Sequence, residues 1–194
     1  NTKKKQIKIK TKQTDTHIEK NKKLPTSSLR RIMQAKFHMN AKNIQLLNGN
    51  IDTRIKKLND GMYDCIILAE AGLSRLSPLL EKQNYKQLEH ITCSGQGVLA
   101  VQWKEGSKVG DFIKSSLLFD QMKELNEQIK MERNLLKKLN ANCNSAISIF
   151  ASNGFLQGEI FGRDKFITFS GNNDDQLYKD ITANNGLNLL NEHH

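Results

Sequence analysis

At 194 residues, with 37% hydrophobic and 6% aromatic residues and a formal charge of +10, the chain has room for one or two domains with modest cores. No run approaches the roughly 20 apolar residues needed to span a bilayer, and no apolar stretch follows the basic N-terminus, so neither a membrane span nor a secretory signal is expected. Cys65, Cys93 and Cys143 are an odd number, too far apart for a metal pattern, and point to a reducing compartment without disulfides. The cytoplasm is the default. The first residue, Asn1, reads as the start of a processed or cut chain, which makes a plastid the alternative.

Residues 1–23, NTKKKQIKIKTKQTDTHIEKNKK, carry nine lysines against Asp15 and Glu19, a net of +7 that leaves only +3 for the rest. Ile7, Ile9 and Ile18 are the only apolar residues here, too few to offset the entropy of ordering, so a solvated, disordered extension or insertion is expected. A nucleic-acid arm is the alternative, but the segment lacks interleaved aromatics and any reading motif, so no nucleic-acid partner is expected.

Over 24–37, LPTSSLRRIMQAKF, Thr26 or Ser27 reads as an N-cap, and Leu29, Ile32, Met33, Lys36 and Phe37 keep helical spacing. Arg30 and Arg31 then fall in the first turn, where the macrodipole disfavours a cation by about 0.3–1 kcal/mol and the free N–H groups favour an anion. Four of the six arginines, Arg30, Arg31, Arg54 and Arg75, lie within 46 residues of a chain that holds 24 lysines. The planar guanidinium binds carboxylates bidentately, which an ammonium cannot do.

From residue 43 onward the reading is a strand at NIQLL, a loop at NGN, a helix at DTRIKKLND capped by Asp52 and ended by Gly61, and a buried strand at YDCIILAEAG leading into a turn. Such strand-helix-strand units pair their strands in parallel and bind ligands at the strands' carboxyl ends. Arg54 and Arg75 follow the two strands, so four guanidiniums could converge on one cleft; four solvated surface arginines are the bland alternative.

Farther on, SGQGVLAVQW sets Gly95 and Gly97 around Gln96 before a strand expected from Val98 to Trp103, and reads as an interdomain crossing. SSLLFDQMKELNEQIKMERNLLKKLN has helical spacing and is read as two helices broken near Asn126. AISIFAS, FLQGEIFG and KFITFSG read as three strands, with Asn153-Gly154 a hairpin turn and a last helix from about Asp175. Cys65 is expected in a core and Cys93 in a connector, while Cys143, in the polar loop NANCNSA, is placed as an accessible thiol near the end of an element.

TSSLRR, GNIDTRIKKLNDGMYDCIILAEAGLSRL, GQGVLAVQ and ERNLLKKLNANC, in this order and spacing from about Leu24 to the C-terminus, closely resemble the porphobilinogen deaminase (hydroxymethylbilane synthase) family. The resemblance implies a three-domain α/β transferase of porphyrin and heme biosynthesis that joins four porphobilinogen units into a linear tetrapyrrole and releases ammonia. It implies a periplasmic-binding-protein-like α/β domain with an arginine-lined cleft at 24–94, and a crossing segment with the remnant of a second such domain at 95–125. A small α+β domain with a three-stranded sheet would follow at 126–194. It further implies a dipyrromethane cofactor bound through a thioether to Cys143, with Ser27, Ser28, Arg30, Arg31 and Arg54 around it, and Arg30, Arg31, Arg54, Arg75 and Gln96 binding substrate carboxylates.

The chain departs from the family in several places. Asn48 stands where an arginine is usual, and Asn140, Ala141 and Asn142 replace glycines common before the cofactor cysteine. The family's N-terminal domain and its proton-handling aspartate have no counterpart here. Asp52 and Asp64 read as a cap and a strand-edge residue, and Glu70 has no motif support, so no catalytic residue is assigned. An incomplete, poorly active portion is therefore expected, with a non-catalytic tetrapyrrole-carboxylate binding module as the alternative. A monomer without metal or membrane partner completes the expectation.

Overall fold

The computed structural model describes residues 6–10, 21–73, 84–116 and 122–193. They form a mixed α/β arrangement. β2 (Lys23–Pro25) pairs in parallel with β3 (Asn43–Gln45), and α1 (Leu29–Met39) connects them. α2 (Ile51–Asn59) leads on to β4 (Cys65–Ala69), which runs into the short α3 (Glu70–Leu73). β4 begins beside β2, where Asp64 N donates to Lys23 O at 3.1 Å and Lys23 N to Asp64 Oδ2 at 2.7 Å. The parallel partner of β3 is thus β2 and not β4, a correction to the strand-helix-strand reading: the segment before α1 supplies a strand that meets both.

β4 is apolar throughout because both its faces are covered. Cys65 and Ile67 share a core with Leu24 and Ala35 on the α1 side, while Ile66 and Leu68 join Leu47, Ile55 and Leu58 on the α2 side. β1 (Gln6–Lys10) lies antiparallel to β4 along one edge, with Ile7 opposite Leu68, and to β5 (Asn84–Leu88) along the other. Within the segment expected to be disordered, residues 6–10 form a strand. A strand between two ladders is ordered by backbone bonds that composition does not register, and QIKIK has the two-residue period of a strand. Residues 1–5 and 11–20 lie outside the described residues.

Residues 98–103 form no strand: none of the described strands pairs with them, and Leu99 and Val101 face solvent. α4 (Lys108–Ser115) is capped by Ser107, whose Oγ accepts from Gly110 N at 3.1 Å. α5 (Lys123–Lys138) runs through Asn126, whose N–H donates to Met122 O at 2.8 Å, so the expected break is not there.

The C-terminal part follows the sequence closely. β6 (Ile147–Ser152), β7 (Phe155–Phe161) and β8 (Phe166–Gly171) form an antiparallel meander, followed by α6 (Asp174–Ala183) and α7 (Gly186–Asn191). Asn153 and Gly154 have φ of 51° and 71°, the two left-handed residues of a type I′ hairpin turn. Leu135 and Leu136 of α5, with Leu139 just past its end, pack on Ile147, Ile149, Leu156 and Ile160 of the sheet, with Leu177 and Leu189 closing the same core. α1 touches both halves: Met33, with Leu29, Ile32 and Phe37, packs against Ala146, Phe161 and Phe166. Among the described residues no helix is long and apolar enough to cross a membrane.

Candidate active site

Ser28, in extended backbone at φ −85° and ψ 113°, is the N-cap of α1 but makes no side-chain cap bond, and the first turn holds no acid. The cap is therefore one or two residues later than expected; Thr26 Oγ1 instead accepts from Ser28 N at 3.2 Å. Arg30 and Arg31 do occupy the first turn. Arg30 is buried and its Nη1 donates to Gln34 Oε1 at 2.7 Å, while Arg31 Nη1 donates to Ile67 O of β4 at 3.1 Å. Arg54 is anchored at the start of α2, where its Nε donates to Gly49 O at 2.7 Å. The cap of α2 is Asn50, whose Oδ1 accepts from Thr53 N at 3.0 Å; Asp52 sits in the first turn and is not the cap, because the asparagine one residue before the helix already takes that N–H.

Burial disfavours the charge of Arg30 and Arg31. Burial lowers Arg31 to about 10, with Arg30 adding to the effect, Cys93 opposing it and Arg54 adding again. Arg30 is lowered by burial too, with Cys93 and Glu159 opposing. An anion in their midst would return the favour lost on burial.

The opposite side is built from the crossing loop and the end of α5. Gly95 and Gly97, at φ 66° and 80°, take the left-handed torsions expected of them, in a turn closed by Gln96 N to Cys93 O at 3.2 Å. Glu132 of α5, fully buried, accepts from Gly95 N at 2.8 Å and Ala151 N at 2.9 Å, tying the turn to the meander. Asn140 ends α5 at φ 52°, a conformation that favours glycine and that asparagine tolerates best among the others. The next turn is held reciprocally, with Asn142 N donating to Ser145 Oγ at 3.0 Å and Ser145 N to Asn142 O at 3.1 Å. This turn presents Cys143 to solvent.

Between the two sides lies a cavity of about 570 Å³. It gathers Ser27, Ser28, Arg30, Arg31, Arg54, Gln96 and Cys143, all expected from the sequence; Arg75 lies outside the described residues. Cys65 is buried in β4 and takes no part. Thr26, Cys93, Ser94, Arg133, Lys137 and Ser145 also line the cavity, and the sequence reading gives none of them a part in binding. Arg133 and Lys137 are four apart on α5, hence on one face, and that spacing just before Cys143 was the available signal. Among the described lining residues there are five cations and no carboxylate. Arg31 Nε, Ser94 Oγ and Gln96 Nε2 are buried there without a hydrogen-bond partner. Unspent donors, guanidiniums and an accessible thiol fit a ligand that carries several carboxylates and is held at sulfur.

Residues 3–110 match the family model described as porphobilinogen deaminase, dipyromethane cofactor binding domain. The chain belongs to the porphobilinogen deaminase family. It is 41% identical over 115 residues to a probable porphobilinogen deaminase of Methanocaldococcus jannaschii, covering 59% of this chain and 35% of that protein. It is 35% identical over 173 residues to one of Picrophilus torridus, covering 89% and 56%, and 32% identical over 180 residues to the porphobilinogen deaminase of Clostridium perfringens, covering 91% and 58%. The chain thus spans about half the length, or less, of these curated relatives. The family model ends before Cys143, but a match over 91% of the chain is long enough to include it.

Proposed function

We propose that this chain supplies the cofactor-holding and carboxylate-binding part of a hydroxymethylbilane synthase. The supporting observation is one cavity that holds five cations and an exposed thiol, in a chain of the porphobilinogen deaminase family. In this reading Cys143 is the attachment point, and a dipyrromethane bound there supplies the pyrrole end on which the linear tetrapyrrole is built.

The chain's own residues hold and orient. Arg30, Arg31 and Arg54 take acetate and propionate carboxylates as charge-assisted pairs, each worth about 1.5–3 kcal/mol. Ser27, Ser28 and the N–H groups at the start of α1 add donors at the positive end of a helix. Gln96 and Ser94 face the same ligand through the atoms left unpaired. Arg133 and Lys137 close on it from the α5 side. In the family arrangement this part is one α/β domain and a small α+β domain of a three-domain enzyme, and Arg75 joins the carboxylate set.

Proton transfer is a separate demand. Condensation needs a group that takes a proton from the attacked pyrrole, and the described lining residues offer cations, hydroxyls, amides and thiols but no carboxylate. General acid-base help is worth about 10²–10⁴ in rate, so residues 1–194 alone should bind porphobilinogen yet release ammonia from it at least about 100-fold more slowly than a full-length relative. Ammonia release and tetrapyrrole formation, measured side by side on the two proteins, test this. Equal rates would mean that the proton-handling group lies within this chain, and absence of porphobilinogen binding would refute the reading.

A further inference from the structure

We propose that Glu159, on β7, is a positioning residue for Arg30, acting across the junction between α1 and the meander through the side-chain amide of Gln34. What Arg30 binds rests on the functional reading above; how it is held does not.

A guanidinium as buried as Arg30 needs compensating charge, and a buried carboxylate needs the same. Arg30 and Glu159 do not form an ion pair. Gln34 stands between them, its Oε1 accepting from Arg30 Nη1 at 2.7 Å and its Nε2 donating to Glu159 Oε2 at 3.2 Å and to Ile91 O at 2.7 Å. The amide can face only one way: reversed, it would offer N–H to the guanidinium and oxygen to the carboxylate. Glu159 is fixed in turn by Ser148 Oγ at 2.9 Å on Oε2 and by His38 Nε2 at 2.8 Å on Oε1. The His38 ring is itself gripped, stacked on His90 at 5.1 Å and edge-on to Phe161 and Phe166. Gln34, Ser148 and Glu159 are all buried, so the Arg30–Gln34, Gln34–Glu159 and Ser148–Glu159 bonds lie in a low-dielectric setting where breaking them is costly.

The relay solves a specific problem. A direct pair would spend the arginine fork bidentately on Glu159. Passing the charge through an amide spends a single N–H, and Arg30 still lines the cavity. Glu159 belongs to the meander that follows the Cys143 turn, so the same relay fixes the guanidinium relative to the thiol.

The test follows Arg30 itself by ¹⁵N NMR of its guanidinium, together with porphobilinogen affinity, in the wild type, Glu159→Gln and Gln34→Met. The methionine variant keeps volume and breaks the same relay, and serves if the first fails to fold. The wild type should show hindered guanidinium rotation, and both variants an averaged signal with affinity weaker by about tenfold. Adding Glu159→Gln to Arg30→Lys should cost nothing further. Unchanged rotation and affinity in both variants, or fully additive losses in the double variant, would overturn the proposal. If the wild type does not bind porphobilinogen the functional reading falls, while the rotation of Arg30 still decides this one.

Discussion

On the α1 side of the cavity the cations are buried or half-buried and already engaged by the protein, Arg30 by Gln34, Arg31 by Ile67 and Arg54 by Gly49, whereas on the α5 side Arg133, Lys137 and Cys143 stand exposed. The first side is set before a ligand arrives, and each bond to Arg30 or Arg31 has been obtained against a burial penalty that lowers its pKa. The second side meets solvent, and only its backbone is fixed, by the Asn142–Ser145 turn and the left-handed Asn140. In the function proposed above, recognition of carboxylates and acceptance of a covalent guest are divided between a rigid side and an accessible one. Screening follows the same division: exposed charges lose their attraction in salt, buried ones much less.

The contrast breaks most severely at the residue that ties the crossing turn to the meander within the second side. Glu132→Ala leaves the buried N–H of Ala151 and the half-buried N–H of Gly95 without their acceptor, and should destabilise the fold by about 3 kcal/mol in urea unfolding. A loss below about 1 kcal/mol would mean that the turn at Gly95 is held by other means.

Arg31→Met sharpens the contrast by separating binding from stability. Affinity for porphobilinogen should fall by about 10–100-fold, as expected for one charge-assisted bond, while thermal stability holds or rises because a costly buried cation is gone. A large loss of stability would make Arg31 structural. The same group fixes a pH limit. Its folded pKa, about 10, lies below that of a free arginine, so the penalty of burying the cation is present below about 10 and lifts as pH rises through it. Binding needs the cation, so porphobilinogen affinity, flat at neutral pH, should drop as pH passes about 10; Arg31→Met should lack that step. Calorimetric titration across that range checks it.

The smallest effect belongs to the exposed side. Lys137→Ala should weaken binding by only about threefold and lose that difference at high salt, the behaviour of a solvated charge. A tenfold or salt-independent loss would mean that Lys137 is desolvated by the ligand and that the two sides are alike.

The cavity was more legible in the sequence than the sheets around it. Arg30, Arg31 and Arg54 stood out because arginine is scarce among lysines and falls at helix starts, and Cys143 because a polar loop follows a helix. The meander was legible from alternation and from Asn153-Gly154, both local signals. β1 was missed because net charge outweighed a five-residue alternation, and the partner strands that order it are distant in sequence. The strand expected at 98–103 failed for the opposite reason: its local pattern is favourable, but none of the described strands pairs with it. The Gln34–Glu159 relay spans 125 positions and leaves no local trace at all.

The central claim is that Cys143 is the thiol on which the ligand of this cavity is held, and intact mass after expression in cells that make porphobilinogen tests it most directly. The protein should carry the added mass of one dipyrromethane, retained in Cys65→Ser and Cys93→Ser and lost in Cys143→Ser. An adduct that survives Cys143→Ser, or that disappears with Cys93→Ser alone, would contradict the account.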